Sequence, residues 1–147
     1  MKIAVGADHR GVPLKDKLIP FLRRRGYQVA DCGAHETDPP SDYPDIAVSV
    51  ARRVASRRAD RGILICGSGI GMSISANKVK GIRAAHCTSL TEARLSREHN
   101  DANILTMGAM TTSTRTAKRL AGVWLTTRAE GGRHRRRVQK ISRLERL

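Results

Sequence analysis

At 147 residues with 39% hydrophobic side chains, the chain is long enough for one domain with a single core and too apolar to be disordered. Aromatics are only 3%, so that core falls to Val, Ile, Leu, Ala and Met, and no apolar run reaches membrane-spanning length. Lys and Arg number 28 against 13 Asp and Glu, a net charge of +15. That balance favours phosphorylated or polyanionic partners without choosing between an enzyme and a nucleic-acid binder. The opening MKIAVGADHRG turns polar too soon for a signal peptide, which makes the cytoplasm the expected location. Cys32, Cys66 and Cys87 are an odd number, with no CxxC pair and no zinc-ligand spacing, so neither a disulfide framework nor a metal centre is expected.

In chain order, Lys2–Gly6 reads as a buried strand, followed by a helical stretch over Leu14–Arg25 that Pro20 should kink or end early. Tyr27–Asp31 is the second strand, and Ala34–Tyr43, with two prolines, is a polar loop. Pro44 opens a helix over Asp45–Arg58 with Ile46, Val50 and Val54 at spacing four. Gly62–Cys66 and Ile82–Cys87 read as strands, then Ser89–His99 as a helix, Asn103–Met107 as a fifth strand and Thr114–Thr126 as another helix. Short, nearly all-apolar strands alternating with helices predict an α/β fold: one open parallel five-stranded sheet, Rossmann-like, with helices on both faces. Beyond the Gly131-Gly132 break, Val138, Ile141 and Leu144 make a narrow apolar stripe on a strongly basic segment. Residues 131–147 thus form a docking helix of the same 1–147 domain.

Ligands of open α/β sheets bind beyond the carboxyl ends of the strands. The expectation is that three clusters meet at that edge: Ala7–Gly11 with Asp8 and His9, Cys66–Ser73, and Arg97–Asp101 with His99 and Asn100. Gly67, Gly69 and Gly71 allow a tight turn whose bare N–H groups, at a helix mouth, suit a phosphate or an oxyanion. The loop is not a Walker motif, because it ends Gly-Met-Ser. Met72 replaces both the last glycine of a dinucleotide fingerprint and the arginine of a Cys-x5-Arg phosphatase loop. What remains is a thiol at a strand tip beside a helix mouth, where the dipole favours the thiolate and hence a base for a carbon acid.

The stretches GADHRG, SDYPD, DRGILICGSGIGMSISANKVKGIRAA, LSREHNDANIL and EGGRHRRRV resemble the ribose-5-phosphate isomerase B family, from the first residue to about Ile141. The resemblance implies a cofactor-free, metal-free aldose–ketose isomerase acting on ribose 5-phosphate and ribulose 5-phosphate through an enediolate. It implies Cys66 as the base, since Met72 stands where other members carry a glutamate base. By the same resemblance Ser68 would relay protons, His99 would open the sugar ring, and the N–H groups of Gly67, Gly69, Ile70 and Gly71 would hold the enediolate. Asp8 and Asn100 would bind hydroxyls, Tyr43 would line the site, and His9, Arg133 and Arg137 would grip the phosphate. The two arginines would come from the partner subunit of a homodimer, with pairing into tetramers left open. The nearest alternative is a hexose 6-phosphate (allose or galactose) isomerase. A basic nucleic-acid-binding module is the remote one, since stacking aromatics are scarce. No membrane and no specific nucleic acid is expected as a partner. Ser68 in place of threonine, His86 in place of an apolar residue, and the extra Arg135 and Arg136 depart from the family pattern.

Overall fold

A computed structural model describes residues 1–147. Its elements run β1 (Lys2–Ala7), α1 (Val12–Arg24), β2 (Gln28–Asp31), α2 (Tyr43–Ala55), β3 (Arg61–Cys66) and α3 (Ile70–Ala76). They continue with β4 (Ala84–His86), α4 (Leu90–Glu98), β5 (Ile104–Gly108), α5 (Thr114–Thr126) and α6 (Gly132–Leu144). All five strands are parallel, in the order β2-β1-β3-β5-β4. The three central strands are buried almost throughout, as their unbroken apolar sequences require. Alternation along them builds two cores. Ile3, Val5, Ile63, Ile65, Leu105 and Met107 pack with α1, α4 and α5 around Trp124. Ala4, Leu64, Cys66 and Ile104 pack with α2 and α3.

The α1 helix corrects one expectation, for it continues through Pro20 to Arg24. An interior proline costs about 3 kcal/mol. Leu18, Ile19 and Leu22, all buried around it, return roughly 1.5–3 kcal/mol each. Packing therefore outweighs the lost hydrogen bond, and Pro20 itself faces solvent. The α2 helix starts two residues earlier than expected, so Tyr43 lies in its first turn, and Arg57, with φ at 59°, turns the chain away after its end. Ser89 and Glu92 form a reciprocal capping box at the start of α4.

The chain order reverses between β1 and β3, which opens a crevice between the loops that follow those two strands. Helix α6 stands apart from the two cores, with His134 its one buried residue and Ile141 and Leu144 exposed. No helix is long and apolar enough to cross a membrane.

Candidate active site

The crevice at the carboxyl edge gathers Asp8, His9, Tyr43, Cys66 and the glycine loop. Asp8 is buried, and its Oδ1 accepts the N–H groups of Arg10 and Gly11, both at 3.0 Å. These bonds fasten the β1–α1 turn through one carboxylate oxygen and leave the other for a ligand hydroxyl. The His9 backbone N–H donates to Ser41 Oγ at 2.9 Å, and its Nδ1 accepts from the Ser41 N–H at 3.2 Å. The same Nδ1 lies 3.3 Å from the Ser41 carbonyl oxygen, so both backbone polar groups of Ser41 hold the ring. Ser41 ties the proline-containing loop to this turn, a role that its sequence position gave no reason to single out.

Cys66 ends β3, and its Sγ accepts the Gly69 N–H at 3.1 Å. That bond ties the sulfur to the glycine loop. Gly69 has φ at 82°, and a Cβ on it would lie 2.7 Å from both the His86 ring and the Met107 backbone. Position 69 thus admits only glycine. A Cβ on Gly71 would meet the Tyr43 ring at 2.6 Å, so Tyr43 lies against the loop and forms one wall. Ser68 is exposed, and its Oγ accepts the Ile70 N–H at 3.3 Å. The N–H groups of Gly69 and Ile70 are thus directed at Cys66 and Ser68. Gly67 lies under Arg10 and Met110, whose Nη1 and Sδ are 3.4 Å apart. Met72 is fully buried in the α2–α3 core and offers no base. Cys87 is no rival nucleophile, because burial pushes its thiol up to about 11.

His99 and Asn100 are not in this crevice, which corrects the expectation of a single edge, and Arg133 and Arg137 lie on α6, whose His134 stacks on His99. His99 is the C-cap of α4, and residues 99–103 lead into the start of β5. In a parallel sheet the residues before a strand lie at its amino edge. The register pairs Gly62 with Ile104 and Cys66 with Gly108, so the two clusters lie at opposite ends of the central strands. Five strand steps from Arg61 to Cys66 amount to about 16 Å. One small substrate cannot bridge that gap within one chain.

The amino-edge cluster is itself well fixed. Arg83 Nε donates to the Asn100 carbonyl at 3.0 Å, and Arg83 and the buried Arg97 pair with Asp101 at 3.1 and 2.8 Å. The His99 and His134 rings stack with centroids 4.1 Å apart and planes 2° from parallel. His134 Nε2 lies 3.4 Å from Glu130 Oε2 and 3.5 Å from Arg133 Nε. Burial first, then the neighbouring His99, holds the His134 imidazole below the usual histidine range, with Arg133 and Arg137 adding to the effect. His99, Glu130 and His134 bring ligand-type atoms within 4.8 Å of one another, a trio that sequence spacing did not reveal. The two imidazole lone pairs lie in parallel, separated planes, so a single ion cannot sit in both planes without one ring turning.

With this geometry in place, comparison with known proteins points one way. The profile described as Ribose/Galactose Isomerase matches residues 3–141. The Escherichia coli ribose-5-phosphate isomerase B is 45% identical, the match covering 98% of this chain and 96% of that protein. The D-erythrulose-4-phosphate isomerase of Pectobacterium atrosepticum is 39% identical over 99% of this chain and 95% of its own length. Among solved structures, ribose-5-phosphate isomerase B of Clostridium thermocellum superposes with a TM-score of 0.97 at 50% identity, covering 99% of this chain and 98% of the other.

Proposed function

The chain belongs to the ribose/galactose isomerase family, and from that premise we propose that it interconverts ribose 5-phosphate and ribulose 5-phosphate. The observation that carries this reading is the Cys66 thiol at the tip of β3, with the Gly69 N–H donating to its sulfur and no carboxylate at position 72. In the proposed mechanism the Cys66 thiolate takes the proton from C2 of the open-chain aldose. The electron pair moves to form the C1–C2 double bond, and the charge settles on O1. Ser68 relays the O2 proton to O1, and the Cys66 thiol then returns its proton to C1. No net oxidation occurs, so no redox cofactor is called for. The free Asp8 oxygen and Tyr43 position the sugar, and the His9 imidazole reaches for the phosphate.

The same reading assigns ring opening to His99, sugar hydroxyls to Asn100 and the phosphate to Arg133 and Arg137, all supplied by a second copy. The separation of the two edges supports this, because one chain offers two half-sites that face away from each other. A homodimer with two composite sites follows from that arrangement. Exposed Ile70, Ile74 and Met110 around the crevice, and Ile141 and Leu144 on α6, are apolar surface of the kind an interface covers. A cytoplasmic setting belongs to the same proposal and suits three free cysteines.

Substrate length is open to a second reading, because a relative at 39% identity is a tetrose-phosphate isomerase. Steady-state kcat/KM for ribose 5-phosphate, erythrose 4-phosphate, allose 6-phosphate and galactose 6-phosphate, run side by side, tests the assignment. The pentose phosphate is expected to lead by at least about tenfold, the scale of one lost contact of roughly 1.4 kcal/mol. A higher value for the tetrose or a hexose would reassign the substrate and keep the mechanism.

A further inference from the structure

Away from both edges, a cleft of about 400 Å³ opens between α1 and α5. Arg25, Lys118 and Arg119 line it, and Phe21 and Val123 supply apolar wall. The Arg25 guanidinium carbon lies 4.7 Å from the Phe21 ring centroid and the Lys118 Nζ 5.8 Å from it, so one ring helps to hold two cations. None of the three cations makes an ion pair, as holds for most of the 28 Lys and Arg of this basic chain. No carboxylate lines the cleft.

A second observation is independent of charge. Gly122 sits inside α5 and lines the same cleft, although a helix-interior glycine is unfavourable relative to alanine. Packing does not demand it. A Cβ there would meet only the Arg25 Nη1, at 3.8 Å, and its φ is not in the left-handed region. What the glycine provides is open volume directly beside three unpaired cations.

We propose that this cleft is a second ligand site, for small phosphate monoesters whose organic part is flat or apolar. The phosphate would be held by Arg25, Lys118 and Arg119, and the organic part would lie over Gly122 against Phe21 and Val123. The volume falls in the range of small-molecule pockets. Charge-assisted bonds from guanidinium and ammonium groups suit a phosphate dianion. The site lies on the α1–α5 face, apart from the Cys66 crevice, and does not depend on which sugar phosphate is isomerised.

Phenyl phosphate is the probe, titrated calorimetrically against the full chain with inorganic phosphate as the reference anion. Two variants separate a built site from general attraction to a basic surface. The double variant Arg25→Ala/Lys118→Ala removes charge, and Gly122→Leu fills the cleft with every charge kept. The expected result is that wild type binds phenyl phosphate at least tenfold more tightly than inorganic phosphate. Both variants should lose that preference, with circular dichroism and ribose 5-phosphate kcat/KM unchanged. A Gly122→Leu protein that binds phenyl phosphate like wild type overturns the proposal, leaving only surface charge or the catalytic crevice as the binder. Absence of any preference for phenyl phosphate in wild type overturns it equally.

Discussion

In the proposed mechanism the two ends of the central sheet carry complementary halves of one chemistry, and they are built differently. At the carboxyl edge the proposed working groups are backbone and short side chains, Cys66, Asp8 and the glycine loop, locked by hydrogen bonds between residues two or three positions apart. At the amino edge they are long or aromatic side chains, His99, Arg133 and Arg137, arranged around a histidine stack and a helix with only one buried residue. Proton abstraction from carbon needs a base fixed to within tenths of an ångström, which strand tips and tight turns supply. Gripping a phosphate and protonating a ring oxygen tolerate longer, more adaptable arms. On the proposed reading neither edge is a site alone, and α6, which buries only His134 against its own chain, is the arm that reaches the second copy.

The largest effect should come from the carboxyl edge. Replacing Cys66→Ala should lower kcat by about 10²–10⁴-fold, the usual worth of a general base, with the fold and phosphate affinity retained. Retention of more than about a tenth of wild-type kcat would place the base elsewhere.

A smaller and more selective effect is expected at the amino edge. His99→Asn should slow turnover of the ring-closed substrate by roughly 10–100-fold, while an open-chain analogue loses much less, since ring opening alone uses that imidazole. Equal losses on both substrates would remove His99 from that step.

The smallest effect concerns stability. The His134 imidazole is held below its ordinary range, so below about pH 6.5 the unfolded chain takes up a proton that the folded chain resists. Its stabilising contribution is present above that pH and is lost as the pH falls toward the lowered folded value. Chemical denaturation between pH 5 and 8 should therefore show a slope near 6 that His134→Asn flattens. Parallel slopes in the two proteins would mean that the stack carries no such linkage.

Much of this was legible in the sequence, for reasons that particular residues make plain. GILIC reads as a strand buried on both faces and GSGIG directly after it as a tight turn, so β3, Cys66 at its tip and the glycine turn were readable. Pro20 misled because local propensity says nothing of Leu18 and Leu22, which hold the helix together from the far side. His99 and Asn100 were assigned to the wrong edge because residues that precede β5 were grouped with residues that follow β1 and β3. The rule that strands are entered at the amino edge puts them about 16 Å from Cys66. Ser41 and the His99–His134 stack depend on contacts between segments about thirty residues apart, which no periodicity encodes.

The central claim, that each site joins the carboxyl edge of one copy to the amino edge of another, is tested most directly by complementation. Cys66→Ala and Arg137→Ala chains, each inactive alone, would be co-expressed with different tags and the doubly tagged heterodimer purified. In that heterodimer one site combines both lesions, and the other combines an intact Cys66 with an intact Arg137. The account predicts about half of wild-type activity per dimer, because one of two sites is whole. Activity no higher than that of the parent variants would contradict it, since sites built within single chains would each keep a lesion.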